Sequence, residues 1–121
     1  MQEGTPSHVF HLTERSVFAV ALETGAYEAE SLKSEGFAHC STREQVPRTA
    51  ARFFAGRSGL VLLCIEASRL ADLLRYEGAD GEAFPHCYGL IPLDAIVAVL
   101  DFPCRADGGF DLPDELAVFG A

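Results

Sequence analysis

Apolar positions along this chain come in short runs separated by polar turns, and the spacing changes from run to run. Residues 9–12 form a brief β-prone stretch. Thr13 follows as a good N-cap, with Glu14 in the first turn, and Val17, Phe18, Ala21 and Leu22 then recur at helical spacing until Gly25, a natural C-terminal stop. Residues 26–36 have little periodicity and read as a loop leading to a second short strand over 37–41. Ser41 and Thr42 each have Glu or Gln three positions on, at Glu44 and Gln45, the spacing of a capping box. A second helix is expected from there to Gly56, with Pro47 confined to its first turn or kinking it. Gly59 opens the run Leu60–Glu66, a continuous apolar stretch rich in Val, Leu and Ile that predicts a central strand buried on both faces. Residues 67–74 read as a short helical turn, 75–77 as a brief extended segment and 78–82 as a turn. F-P-H-C-Y-G at 84–89 and a last strand near 96–102 complete the pattern.

These elements predict a compact single α+β domain, with a mixed β-sheet and two principal helices, over residues 9–103. Residues 1–8 are expected to be a flexible N-terminus. From Asp101 onward five acids face one Arg, so 104–121 reads as an acidic C-terminal arm that Leu112, Leu116, Val118 and Phe119 are able to dock on the domain. With 121 residues the chain buries about two-thirds of its unfolded surface, enough for a core without staples. The longest apolar runs, 17–22, 60–65 and 95–100, fall far short of the ~18 residues that span a bilayer. The first twelve residues hold an acid and no Lys or Arg, so no charged leader is expected and the cytoplasm is the expected location.

Charge narrows the partners. Eighteen Asp and Glu against nine Lys and Arg leave a net charge of −9, which repels phosphate backbones and anionic lipid at long range. Broad nucleic-acid or membrane binding is therefore not expected, and a small anionic ligand or a nucleotide is. Residues 43–57 invert the sign locally: Arg43, Arg48, Arg52 and Arg57 stand with Glu44 as the one acid. Arg48 and Arg52 share a helix face and have the fork geometry that suits a pyrophosphate; the plainer reading is a solvated face with a Glu44–Arg48 pair. Cys40, Cys64, Cys87 and Cys104 form no C-x-x-C pair and are read as free thiols, Cys64 as a buried apolar residue.

Candidate chemistry centres on three histidines, His11, His39 and His86, set beside Thr13, Ser41 and Tyr88 at expected strand ends. Strand alternation places His39 and Ser41 on one face and Cys40 on the other, so His39 and Cys40 are poorly placed to share a metal. No close-spaced ligand motif links the histidines, and no metal is expected. Glu77, at the end of a short strand, is the carboxylate best placed for general-base or ribose-binding work; Glu82 is expected to be solvated.

Taken in order, H-L-T at 11–13, S-L-x-x-E-G-F-A-H-C-S at 31–41, Q-V-P followed by R-F-F-x-G over 45–56, L-V-L-L at 60–63 and Y-E followed by F-P-H-C-Y-G over 76–89 resemble the bacterial domain-of-unknown-function 952 family across residues 9–102. Ala38, Phe18 and Leu90 depart from its usual pattern in ways that look like packing changes. The family in turn resembles the ADP-ribosyltransferase superfamily, which includes RNA 2′-phosphotransferases. That resemblance implies a split sheet binding NAD in a central cleft, with His11 toward the ribose, Thr13 as the small polar residue beyond it, and Ser41 or His39 at the nicotinamide end. Glu77 or His86 would stand in for the superfamily's catalytic Glu. The expectation is an NAD-utilising ADP-ribosyl or related transferase-like protein with a histidine-lined cleft: His11, His39, Glu77 and His86 catalytic, and Thr13, Ser41, Arg48, Arg52 and Tyr88 holding the cofactor. The alternative is a non-catalytic module for a small metabolite or nucleotide.

Overall fold

A computed structural model of the chain describes residues 6–79 and 81–119. The first five residues of the expected flexible N-terminus, Asp80 of the expected turn and the last two residues of the arm lie outside the described residues. The fold is a mixed α+β arrangement of three small antiparallel sheets with few helices. No helix among the described residues is long and apolar enough to cross a membrane.

Strand β1 (His8–Glu14) pairs along its whole length with β4 (Leu60–Glu66), from His8 opposite Glu66 to Glu14 opposite Leu60. Strand β8 (Ile96–Asp101) pairs with the other edge of β4, with an irregularity between Cys64 and Ile65. β4 is thus the central strand that its apolar run predicts, and six of its seven residues are buried. The second sheet is β3 (Ala38–His39), β6 (Glu82–Cys87) and β5 (Leu74–Ala79), in that order, and a two-residue pair joins β2 (Ala26–Tyr27) to β7 (Ile91–Pro92).

Alternation along β1 and β4 divides the interior in two. Val9, Val61, Leu63 and Ile65 face the β3-β6-β5 sheet and pack with Ala38, Cys40, Leu70 and Cys87. Phe10, Leu12, Leu60, Leu62 and Cys64 face the other way, onto Val46 and Ala50 of helix α3 (Val46–Phe54) and onto Phe102, Phe110 and Leu116. Phe110 and Leu116 are buried and Phe119 packs against the same cluster, whereas Leu112 and Val118 face solvent.

Several local expectations are corrected. Helix α1 (Arg15–Thr24) starts two residues after Thr13, because Thr13 and Glu14 still pair with Val61 and Leu60; Glu14 takes the cap position. Gly25 does end it, at φ +95°, where an L side chain is strained. Within 26–36 lie β2 and a six-residue helix α2 (Glu30–Glu35); the latter buries no residue and so leaves no apolar stripe in the sequence. Of the two capping boxes, the Thr42 one forms: Gln45 Oε1 accepts from the Thr42 N–H at 2.9 Å. A 3₁₀ turn, Arg43–Gln45, precedes α3, which places Pro47 in the first turn, and the helix stops at Phe54. The segment before β5 is two 3₁₀ turns, Ala67–Arg69 and Ala71–Leu73, and β5 is a six-residue strand rather than a brief extension.

Candidate functional site

The chain changes sheets at β3. His39 pairs with His86 across β6, yet two residues later Ser41 exchanges both backbone hydrogen bonds with Phe10 of β1, at 2.7 and 2.8 Å. His39 and Ser41 therefore do not share a surface, contrary to simple alternation along 37–41. His39 points outward; Ser41 is buried, with its Oγ 3.1 Å from Thr49 Oγ1 on α3. Only residues flanking the crossing, with the core Cys40 between them, reveal it.

His11 lies between the two sheets and is 8% exposed. Its Nδ1 is 2.6 Å from the His39 carbonyl oxygen, which only accepts, so Nδ1 carries the proton and donates. Nε2 then accepts from the Tyr27 hydroxyl at 2.9 Å. Burial holds the imidazole at a pKa of about 4, partly offset by the bond to His39, so it is neutral at physiological pH. Burial also raises the Tyr27 phenol above its usual range, tempered by a hydrogen bond with the Thr13 side chain. His11, Thr13 and Tyr27 form one satisfied polar array inside the apolar layer.

A second group forms on the outer face of the β3-β6-β5 sheet. Glu77 Oε1 accepts from Tyr88 Oη at 2.5 Å and from His86 Nδ1 at 2.7 Å. These two bonds hold the carboxyl below the usual range, that of Tyr88 foremost, and the Tyr88 phenol is raised by the same contact. The Phe37 ring stacks on His86 at 4.1 Å and 20°, and also meets His39 at 4.9 Å and Tyr88 at 5.2 Å. The rings of His39 and His86 stand edge to face at 5.4 Å. His39 Nε2 lies 3.1 Å from Glu35, and the Arg75 guanidinium sits 5.2 Å above the Tyr88 ring. Glu77 Oε1 accepts the proton of His86 Nδ1, and no hydrogen bond reaches Nε2 among the described residues.

The arginine face is largely committed elsewhere. Arg48 binds Glu82 through both terminal nitrogens, at 2.9 and 2.6 Å, and Gln45 Nε2 donates to Glu82 and to the Ala83 carbonyl. Glu82, expected to be solvated, is instead the hub joining the start of α3 to β6. Glu44 pairs with Arg43 rather than Arg48, Arg57 with Glu14, and Arg52 lies over the Phe53 ring. The nine expected site residues thus fall into separate places: His39, Glu77, His86 and Tyr88 together on the outer sheet face, His11 and Thr13 in the inter-sheet layer, Ser41 against α3, and Arg48 and Arg52 on α3. No group of three or more His, Cys, Asp or Glu among the described residues is arranged to hold a metal ion. Sequence reasoning missed Tyr27, Phe37 and Arg75. Phe37, two residues before His39 and so on its face, was the readable one.

Two antiparallel sheets around a buried imidazole, with a carboxylate–imidazole–phenol array on an outer sheet face, define a small α+β domain built on strand-borne histidines. Residues 12–99 match the profile of the family described as protein of unknown function (DUF952), and the chain belongs to that family. It is similar to protein CC0527 from Caulobacter crescentus. The crystal structure of that protein superposes with a TM-score of 0.84 at 33% identity, covering 91% of this chain and 98% of that one. Its solution NMR structure gives a TM-score of 0.78 at 33% identity, over 93% and 98%. None of the curated proteins matches the chain.

Proposed function

We propose that the outer face of the β3-β6-β5 sheet binds a nucleotide with a flat heteroaromatic ring, NAD first among them, and that the domain works as a nucleotide-binding module. The observation that carries this is the ring cluster of Phe37, His39, His86 and Tyr88 closed at one side by Glu77. A further flat ring extends such a stack at a gain of about 1–3 kcal/mol per base. Glu77 retains a second oxygen for ribose hydroxyls, and Arg75 brings the positive charge that a phosphate needs in an acidic protein. The family's resemblance, at the level of fold, to the ADP-ribosyltransferase superfamily supports NAD as the nucleotide to try first.

A second reading, a transferase acting on NAD, is favoured by the orientation of His86. A carboxylate on Nδ1 with Nε2 open is the arrangement of an oriented general base, able to take a proton from an acceptor hydroxyl as the glycosidic bond to nicotinamide breaks. In this reading Glu77 orients and His86 removes the proton.

Thermal unfolding with NAD, ADP-ribose, AMP and nicotinamide tests both. At a hundredfold excess over Kd, binding adds about 2.7 kcal/mol to stability, and Phe37→Ala is expected to abolish the rise in melting temperature. No rise with any of the four overturns the proposal. Release of free nicotinamide, lost in His86→Ala, selects the transferase; binding without release selects the module.

A further inference from the structure

Independent of the nucleotide reading, the outer edge of β5 is open and borders a cleft. The β5–β6 register, from Leu74 opposite Cys87 to Ala79 opposite Glu82, continues to Leu73 opposite Tyr88, whose N–H donates to the Leu73 carbonyl at 2.7 Å. Hydrogen-bonded and non-hydrogen-bonded pairs alternate along an antiparallel ladder, so Arg75 and Glu77 bond to β6 while the backbone N–H and C=O groups of Leu74, Tyr76 and Gly78 point away from it. Among the described residues no hydrogen bond reaches those outward groups. The other long edge strands are blunted: Phe10 of β1 is taken by Ser41, and β8 joins β4 with an irregularity near its start. β5 pairs regularly over all six residues and holds no Pro and no Lys, which leaves it a template for another strand.

Leu74 and Tyr76 also wall a cleft of about 480 Å³, with Pro6, Ala67 and Ala71 on its other sides. A segment laid along β5 sends alternate side chains to opposite faces of the sheet. Those on the inner side enter the cleft, where Ala67, Ala71 and Leu74 suit short apolar groups. Those on the outer side pass the Glu77 carboxylate. Charge selects them: the stretch from Glu66 to Glu82 carries five acids against Arg69 and Arg75. Arg69 is bound to Glu66 at 2.9 Å, and Arg75 lies over the Tyr88 ring. We infer that the β5 edge docks an extended peptide segment of a partner protein, in which short apolar residues alternate with Lys or Arg, as a fourth strand of the β3-β6-β5 sheet.

Backbone amide NMR on the full chain tests this with two end-blocked octapeptides, one alternating Lys and Val and the other Glu and Val. The Lys–Val peptide is expected to shift the amides of residues 66–78 saturably and to slow hydrogen exchange at Leu74, Tyr76 and Gly78 about tenfold, with the Glu–Val peptide binding at least about tenfold more weakly. Gly78→Pro removes an outward N–H and no β5–β6 bond, and an added Cβ there meets no atom within 4 Å. It is expected to weaken Lys–Val binding about tenfold with the melting temperature held. If that variant does not fold, the exchange rates of the parent decide. The inference is overturned if the Lys–Val peptide shifts none of those amides, if the Glu–Val peptide binds equally, or if binding survives in a folded Gly78→Pro. Shifts centred on the acidic stretch 107–115 instead overturn it, as does slow exchange of the three amides in the free chain, which shows the edge already covered.

Discussion

His11 Nδ1 donates to the backbone carbonyl of His39 across 2.6 Å, so a buried imidazole and an exposed one are joined through a single peptide group. The side chains themselves never meet. His11 sets the position of β3 from inside while the His39 ring is presented to the outer cluster, and a change at His11 reaches the sheet face through the backbone.

The depressed pKa of His11 makes stability depend on pH in a defined window. Unfolded, the imidazole titrates near 6.5; folded, near 4. Between these values the unfolded chain binds the extra proton, so stability falls as pH falls and is unaffected by this group above about pH 7. The full difference is on the order of 3 kcal/mol. Urea unfolding from pH 7 to 4.5 is expected to show the decline, and the His11 ring signals in NMR are expected to stay in the neutral form over that range; a midpoint near 6.5 for that ring refutes the assignment.

Tyr27 supplies the one hydroxyl that His11 Nε2 accepts. Tyr27→Phe keeps the ring in place and strands a buried acceptor, a cost of about 1–3 kcal/mol. Denaturant midpoints with unchanged slope measure it, and an unaltered midpoint means that another donor reaches Nε2.

Gln45 and Arg48 both hold Glu82, yet their losses are expected to differ. Gln45 is buried and also closes the Thr42 turn and the Ala83 carbonyl, so Gln45→Ala is expected to cost about 1–3 kcal/mol. Arg48 is exposed, and Arg48→Ala is expected to leave the melting temperature nearly unchanged. Melting curves of the two variants side by side decide it; equal losses contradict the ranking.

All four cysteines are free thiols, and burial separates their reactivity. It pushes the Cys64 thiol up to about 12 and raises those of Cys40 and Cys87, while Cys104 is partly exposed. A disulfide reagent at mild alkaline pH is expected to titrate one thiol rapidly in the folded protein, none in Cys104→Ser, and all four after unfolding. Rapid reaction of two or more thiols in the folded state contradicts the burial.

Much of this molecule was legible in the chain, because it follows from local rules. The apolar run at 60–66 requires burial on both faces and became the central strand. Gly25 takes the positive φ that ends α1, and the Thr42–Gln45 spacing formed its turn. The clustering of His39, His86, Glu77 and Tyr88 rests on alternation within strands plus two registers, His39 opposite His86 and Arg75 opposite His86, that no local pattern specifies.

What tertiary structure alone decided is which face each histidine took. Period-two alternation assigns sides only relative to a neighbour, and at Cys40–Ser41 the chain leaves one sheet for the other, so the alternation that placed Ser41 beside His39 stops applying there. The basic stretch is the same lesson in charge. Arg48 lies far in sequence from Glu82, and folding brings that acid onto it, converting a local excess of positive charge into a link between helix and sheet. Composition and periodicity determine that this chain folds around strand-borne histidines; long-range pairing determines that His11 is sealed inside while His39 and His86 meet on the outer sheet face.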